Sequence, residues 1–164
     1  MTELQLHIKP ISNEEIIPYD LLEMADPSRK IIEAYLKTGT CYLAKIKSEV
    51  IGVFVLDQID LTTIELKNIA VRESEQGKGL GKKLLLFAEK VSRESGYKTM
   101  LIGTGNSSIG QLAFYQKAGF EIDEIVKDYF INNYEEHFFE NGIQCKHRII
   151  LKKKLISNQL ANLK

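Results

Sequence analysis

Between Gln76 and Gly81 the chain reads Gln-Gly-Lys-Gly-Leu-Gly, three glycines in five residues set between a β-rich run and the clearest helical pattern of the sequence. A strand that passes through such a turn into a helix presents unpaired backbone N–H groups at the positive end of the helix dipole. Glycine lets the main chain approach an anion without a Cβ in the way and permits positive φ. Lys78 and Lys82 add favourable charge, so the turn is built for a phosphate or polyphosphate. In a purely structural helix start the same glycines would only destabilise.

Spacing narrows the ligand. A Walker loop has a glycine five residues before the Gly of its Gly-Lys-Ser/Thr, but Gln76 stands there and Lys83 replaces the hydroxyl residue. A dinucleotide fingerprint has a third glycine three residues after the second, where this chain has Lys82.

The pattern around the turn predicts a mixed fold. Leu4 to Ile8 alternates like a half-buried strand that Pro10 ends. Asn13 is the predicted N-cap of a helix over Glu14 to Met24, and Asp26-Pro27-Ser28 marks a break and a second helix start. Thr40–Ile46 and Val50–Leu56 read as a hairpin, followed by a third β-rich run over Thr63–Val71. In that run Ile64 and Leu66 fall on even positions while Ile69 and Val71 fall on odd ones. A β-bulge near Lys67 to Ile69 would restore one face, and coverage of both faces is the alternative. Leu80, Leu84, Leu85, Ala88 and Val91 then recur at helical spacing. A buried strand at Thr99–Gly103, a helix from Ile109 closed by Gly119, and strands at Phe120–Ile122 and Arg148–Leu151 complete the order β-α-α-β-β-β-α-β-α-β-β. Tyr129 to Asn141 reads as a polar, aromatic connection, and the acidic stretch from Glu121 to Glu140 would suit a cationic amine or be a solvated loop with its aromatics packed inward.

Gln76, Gly79 and Gly81 match the acyl-CoA signature Gln/Arg-x-x-Gly-x-Gly/Ala, and the chain resembles the GNAT superfamily of N-acetyltransferases. The likeness extends to the preceding run Glu65-Leu66-Lys67-Asn68-Ile69-Ala70-Val71 and to Phe114-Tyr115-Gln116-Lys117-Ala118-Gly119-Phe120. It implies an α+β GNAT fold: a mixed, mostly antiparallel central sheet with splayed parallel strands and helices on both faces. It also implies acetyl-CoA as acyl donor, its pyrophosphate held by Gln76, Gly77, Lys78, Gly79, Leu80, Gly81 and Lys82, and its pantetheine arm paired with the backbone of Ile69, Ala70 and Val71. Transfer then proceeds by direct attack of a primary amine, with no protein nucleophile. The resemblance points to Glu65 as general base or substrate-orienting carboxylate and to Tyr115 as proton donor to the departing thiolate. Where many members carry an asparagine seven residues before that tyrosine, this chain has Ser108, with Asn106 two residues earlier. Either could contact pantetheine or cap the helix.

The remaining features bound the reading. Basic and acidic residues number 22 each, so no excess charge points to nucleic acid or a membrane surface. The first residues lack a basic and apolar leader, and no run approaches a membrane span, so a cytoplasmic location is expected. Cys41 and Cys145 are isolated thiols, expected to be reduced. His7, His137 and His147 do not fall at metal-ligand spacing, and no metal is expected. A single domain over residues 1–164 is expected, as monomer or homodimer, acting on a small-molecule or peptide amine. Leu155, Ile156, Leu160 and Leu163 form a possible apolar tail. The alternative to an enzyme is a non-catalytic acyl-CoA-binding or sensing module.

Overall fold

The computed structural model describes residues 5–156. Its elements are β1 (Leu6–Pro10), α1 (Tyr19–Ala25), α2 (Arg29–Leu36), β2 (Thr40–Ile46), β3 (Glu49–Gln58), β4 (Thr63–Val71), α3 (Leu80–Glu94), β5 (Thr99–Gly105), α4 (Ile109–Lys117), β6 (Glu121–Val126), α5 (Tyr129–Asn133), β7 (Phe138–Glu140), β8 (Ile143–Cys145) and β9 (Arg148–Lys154), with a short 3₁₀ turn over Glu73–Glu75. Seven strands form one sheet in the order β1-β2-β3-β4-β5-β9-β6, while β7 and β8 make a separate hairpin. Within the large sheet the β4–β5 pair alone is parallel; the other neighbours are antiparallel. This is the mixed, mostly antiparallel α+β sheet that the sequence predicts.

Helices cover both faces, and each face has its own core. Leu21 and Leu22 of α1 and Ile32 and Tyr35 of α2 pack with Cys41, Leu43, Val53, Val55 and Ala70 on one side. Leu80, Leu84, Leu85 and Ala88 of α3 and Tyr115 of α4 pack on the other, against Phe54, Leu56, Ile64, Leu66, Val71, Met100 and Ile102. The strand residues of both lists come from the same strands, alternating in direction as the pleat requires.

The phase change inside β4 is a bulge. Val55 pairs with Asn68 and its neighbour Leu56 pairs with Leu66, so Lys67 is the extra residue. After it, Ile69 and Val71 return to the α3 face that Ile64 and Leu66 occupy. Glu65, Asn68 and Ala70 consequently share the α1–α2 side. Both sequence alternatives hold together, since the bulge exists and both faces are covered.

Two sequence expectations are corrected. The first long helix begins at Tyr19, not at Glu14, because Pro18 disfavours helical backbone at Ile17; Asn13 caps nothing, and Pro18 occupies the cap position. The second start is as expected, with Ser28 Oγ accepting from the Ile31 N–H at 3.3 Å. The connection over Tyr129 to Asn141 is not irregular: it holds α5 and opens the β7–β8 hairpin, with Asn141 at φ 53° and Gly142 at φ 72° making the turn. The first strand ends at Pro10 as expected, with β1 over Leu6–Pro10 on the sheet edge, where the missing N–H is tolerated. Leu160 and Leu163 of the expected tail, like Leu4, lie outside the described residues.

Candidate active site at the split between β4 and β5

Parallel pairing between β4 and β5 covers Thr63–Leu66 against Thr99–Ile102 and then stops. Beyond the bulge β4 stays with β3 while β5 stays with β9 to Gly105. The two strands therefore part, and Ile69 to Val71 present one backbone edge without a strand beside it. Val71 is partly satisfied, since its carbonyl accepts from Gln76 Nε2 at 2.9 Å. Gln76 thus braces the end of β4 against the turn.

The turn that follows has the geometry of an anion cradle. Gly77 and Gly79 adopt φ of 77° and 79°, and a Cβ added to either would meet nothing within 4 Å. Gly79 is the N-cap of α3 and has no side chain to bond the first N–H groups, leaving those of Leu80, Gly81 and Lys82 directed out of the helix. The N–H groups of Gly77, Lys78 and Gly79 also lack backbone partners among the described residues. Lys78 Nζ bonds Glu75 Oε2 at 3.1 Å in solvent, and Lys82 is exposed. These residues fit a pyrophosphate: open space, converging donors and two lysines at one helix end.

Across the split stands Tyr115 of α4. It is 6% exposed, packed edge-to-face against Phe114 and Phe120, and lines the cavity that fills the split. Burial pushes its phenol up to about 12. Ser108 is the N-cap of α4 but does not cap with its side chain; its hydroxyl donates to Glu140 Oε1 at 3.0 Å at the cavity wall. Asn106 is used elsewhere. Its Oδ1 accepts from the N–H groups of Lys146 and His147, both at 2.8 Å, and its Nδ2 donates to the Gln144 carbonyl at 3.1 Å. Asn106 thus fastens the β8–β9 connection, and of the two polar candidates Ser108 alone lines the cavity.

Glu65 lies at the last stretch of paired β4, 5% exposed, and it does not open onto the cavity. Arg148 of β9 bonds one carboxylate oxygen, and Lys67 Nζ lies 2.7 Å from the other. Arg148 and Lys67 themselves line the cavity, so both cations stand between Glu65 and anything bound there. The Arg148 guanidinium rests on Gly103, where an added Cβ would fall 2.2 Å from its Nε.

The cavity, of about 520 Å³, runs from α4 through the split to the α1–α2 side. Its outer wall is aromatic: Tyr129, Phe130, Tyr134 and Phe138 have neighbouring ring centroids 5.2 to 6.5 Å apart. Asp26, the residue closing α1, faces the same space. Its Oδ1 accepts from the Tyr134 hydroxyl at 2.9 Å and the Ser28 N–H at 3.0 Å. Burial raises the Asp26 carboxyl above its ordinary range, against the lowering effect of those two bonds and of the Arg148 charge. Neither Asp26 nor Arg148 is a site candidate from sequence, because the residues that place them there, Tyr134 for Asp26 and Glu65 for Arg148, lie far away along the chain. The aromatic spacing of Tyr129 to Phe138 was the one available signal.

Cys41 and Cys145 are buried and unpaired. Among the described residues no group of three or more His, Cys, Asp or Glu is placed to hold a metal, and no helix is long and apolar enough to cross a membrane.

In sequence and fold the chain is similar to known proteins. The model of the Acetyltransferase (GNAT) family matches residues 8–120. YvbK of Bacillus subtilis, an uncharacterized N-acetyltransferase, is 47% identical over 151 residues, spanning 92% of this chain and 96% of its own length. A GNAT family acetyltransferase from Elizabethkingia anophelis, solved with acetyl-CoA bound, superposes with a TM-score of 0.90 at 47% identity, covering 92% of this chain and 98% of the other. A Bacillus subtilis acetyltransferase solved in complex with CoA gives a TM-score of 0.86 at 46% identity, covering 93% and 100%.

Proposed function

The chain belongs to the GNAT acetyltransferase family, and on that premise we propose that it transfers the acetyl group of acetyl-CoA to a primary amine in a ternary complex at the β4–β5 split. The observation that carries this reading is the split itself: a cavity lined by both parted strands and by Tyr115, with the glycine turn following the end of β4.

Acetyl-CoA supplies an activated acyl carbon, whose bond to sulfur breaks as the bond to the amine nitrogen forms. The N–H groups of Gly77 to Lys82 would hold the pyrophosphate, and the free edge of Ile69, Ala70 and Val71, with the Ser108 hydroxyl, would align the pantetheine arm. Tyr115, neutral throughout the working pH range, donates a hydrogen bond to the sulfur as charge develops there. A protonated amine gives up two protons in the reaction, one reaching the thiol and one reaching solvent.

Glu65 acts as a positioning residue rather than as the base. Both of its oxygens already hold cations, and those cations separate it from the acceptor. Glu65→Gln should therefore lower turnover by roughly ten- to hundredfold through displacement of Arg148 and Lys67, with the ratio of mutant to wild-type rates equal at pH 7 and pH 9.5. A defect that shrinks as free amine becomes abundant would restore the base role.

The function as a whole is tested by free-thiol release from acetyl-CoA across a library of amines, with mass detection of the acetylated product. Release that depends on the amine is expected. Binding of acetyl-CoA without such release would leave the chain a non-catalytic acyl-CoA-binding module.

A further inference from the structure

Most charged side chains around the cavity are already matched. Lys67 is paired with Glu65, Glu23 with Arg29, and Glu140 takes the Ser108 hydroxyl. Two groups keep unused capacity. Asp26 spends both of its hydrogen bonds on Oδ1, and Oδ2 has no partner among the described residues. Arg148 engages Glu65 through one terminal nitrogen, with its Cζ 5.3 Å from the centre of the Tyr129 ring.

These two groups carry opposite charges, face one cavity, and are not paired with each other. Each is anchored from behind. Ser28 and Tyr134 fix Asp26 at the α1–α2 junction, while Glu65 fixes Arg148 above Gly103. An acid and a base held apart across a cavity, each with a free bonding position, form a receptor for a molecule with the complementary pair of charges. A simple amine or a diamine would satisfy Asp26 and leave the guanidinium fork unanswered, whereas a carboxylate matches that fork in planar geometry. Between the two anchors the walls are the rings of Tyr129, Phe130, Tyr134 and Phe138, which favour an apolar or aromatic substituent.

We propose that the acceptor is a free amino acid with an apolar or aromatic side chain, its carboxylate held by Arg148 and its amino group received at Asp26. This rests on the acetyl-transfer reading and names its substrate class. Arg148 and Asp26 are then the specificity-determining residues of the acceptor site. Glu65 serves that site by holding Arg148 in place.

The test compares thiol release with L-phenylalanine, L-leucine and L-methionine against the amines that lack only the carboxylate: 2-phenylethylamine, 3-methylbutylamine and 3-(methylthio)propylamine. At least one amino acid is expected to exceed its amine in kcat/KM by about a hundredfold, since a site built to bond a polar group rejects an analogue without it. Arg148→Gln should erase that preference by raising KM for the amino acid far more than for the amine, on top of any loss of turnover common to both. Gly103→Ala, whose methyl group would displace the guanidinium without removing it, should do the same and guards against a folding defect in the first variant. Asp26→Asn should weaken both members of each pair. The proposal is overturned if the amines match or exceed the amino acids, or if only spermidine or a peptide amine supports release, in which case acetyl transfer stands with another acceptor. Silence toward every acceptor would overturn the transfer reading as well.

Discussion

Gly81→Glu should lower the affinity for acetyl-CoA by more than a hundredfold, about 2.7 kcal/mol or more, while leaving the protein folded and slightly more stable. The position is chosen for its backbone. Gly79 has a φ of 79°, so any side chain there adds strain of its own, whereas Gly81 lies within α3 and an added Cβ would meet only Phe114 Cζ at 3.8 Å. A carboxylate in the first helical turn interacts favourably with the dipole by about 0.3 to 1 kcal/mol, and replacing a helical glycine adds a similar amount. The same charge would stand among the N–H groups that the pyrophosphate requires. Calorimetric titration with acetyl-CoA and a thermal melt together read both signs. Unchanged affinity in a folded variant would remove the glycine turn from the binding site.

Tyr115→Phe is expected to reduce turnover by about 10²- to 10³-fold, the scale of losing one preorganised donor to a developing anion. Acetyl-CoA affinity should change little, because the ring and its contacts with Phe114 and Phe120 remain. With the phenol pushed up to about 12 and an ordinary thiol near 8.5, outright proton transfer to the thiolate is uphill by roughly 5 kcal/mol. On this reading Tyr115 is expected to act as a hydrogen-bond donor that keeps its proton through the neutral and mildly alkaline range. The wild-type rate should accordingly show no alkaline decline from this group over pH 7 to 10. Wild-type turnover in the phenylalanine variant would leave Tyr115 a core residue.

Sequence patterns carried the frame of the site because that frame is made of local chemistry. Glycine spacing, helical periodicity after Leu80, and the parity break between Leu66 and Ile69 each lie within a few residues, and each corresponds to a feature of the fold. The chemistry of the acceptor side was not legible in the same way. Glu65 reads as a promising base when seen alone on its strand, and its burial under Arg148 depends on β9 lying beside β5. Asp26 reads as a helix terminator, which it is, but its second role requires Tyr134 to arrive from α5. The predicted helix over Glu14 to Met24 failed for a local reason that was available: Pro18 lies inside it. Asn106 and Ser108 looked interchangeable in sequence, and the β8–β9 connection separates them by occupying every polar atom of the Asn106 side chain.

The single extra residue at Lys67 makes the location of the site a matter of arithmetic. A strand alternates its faces by count, and the insertion resets that count midway, so that Glu65 and Asn68 share one side while Leu66 and Ile69 share the other. Removing Lys67 would leave Ile69 and Val71 toward α3 and Asn68 toward α1 in unbroken alternation, and what would be lost is the bulge itself, the bend that turns the end of β4 away from β5. No substitution at any one of these positions could do as much. The chain thus stores the opening between its strands in length rather than in side-chain identity.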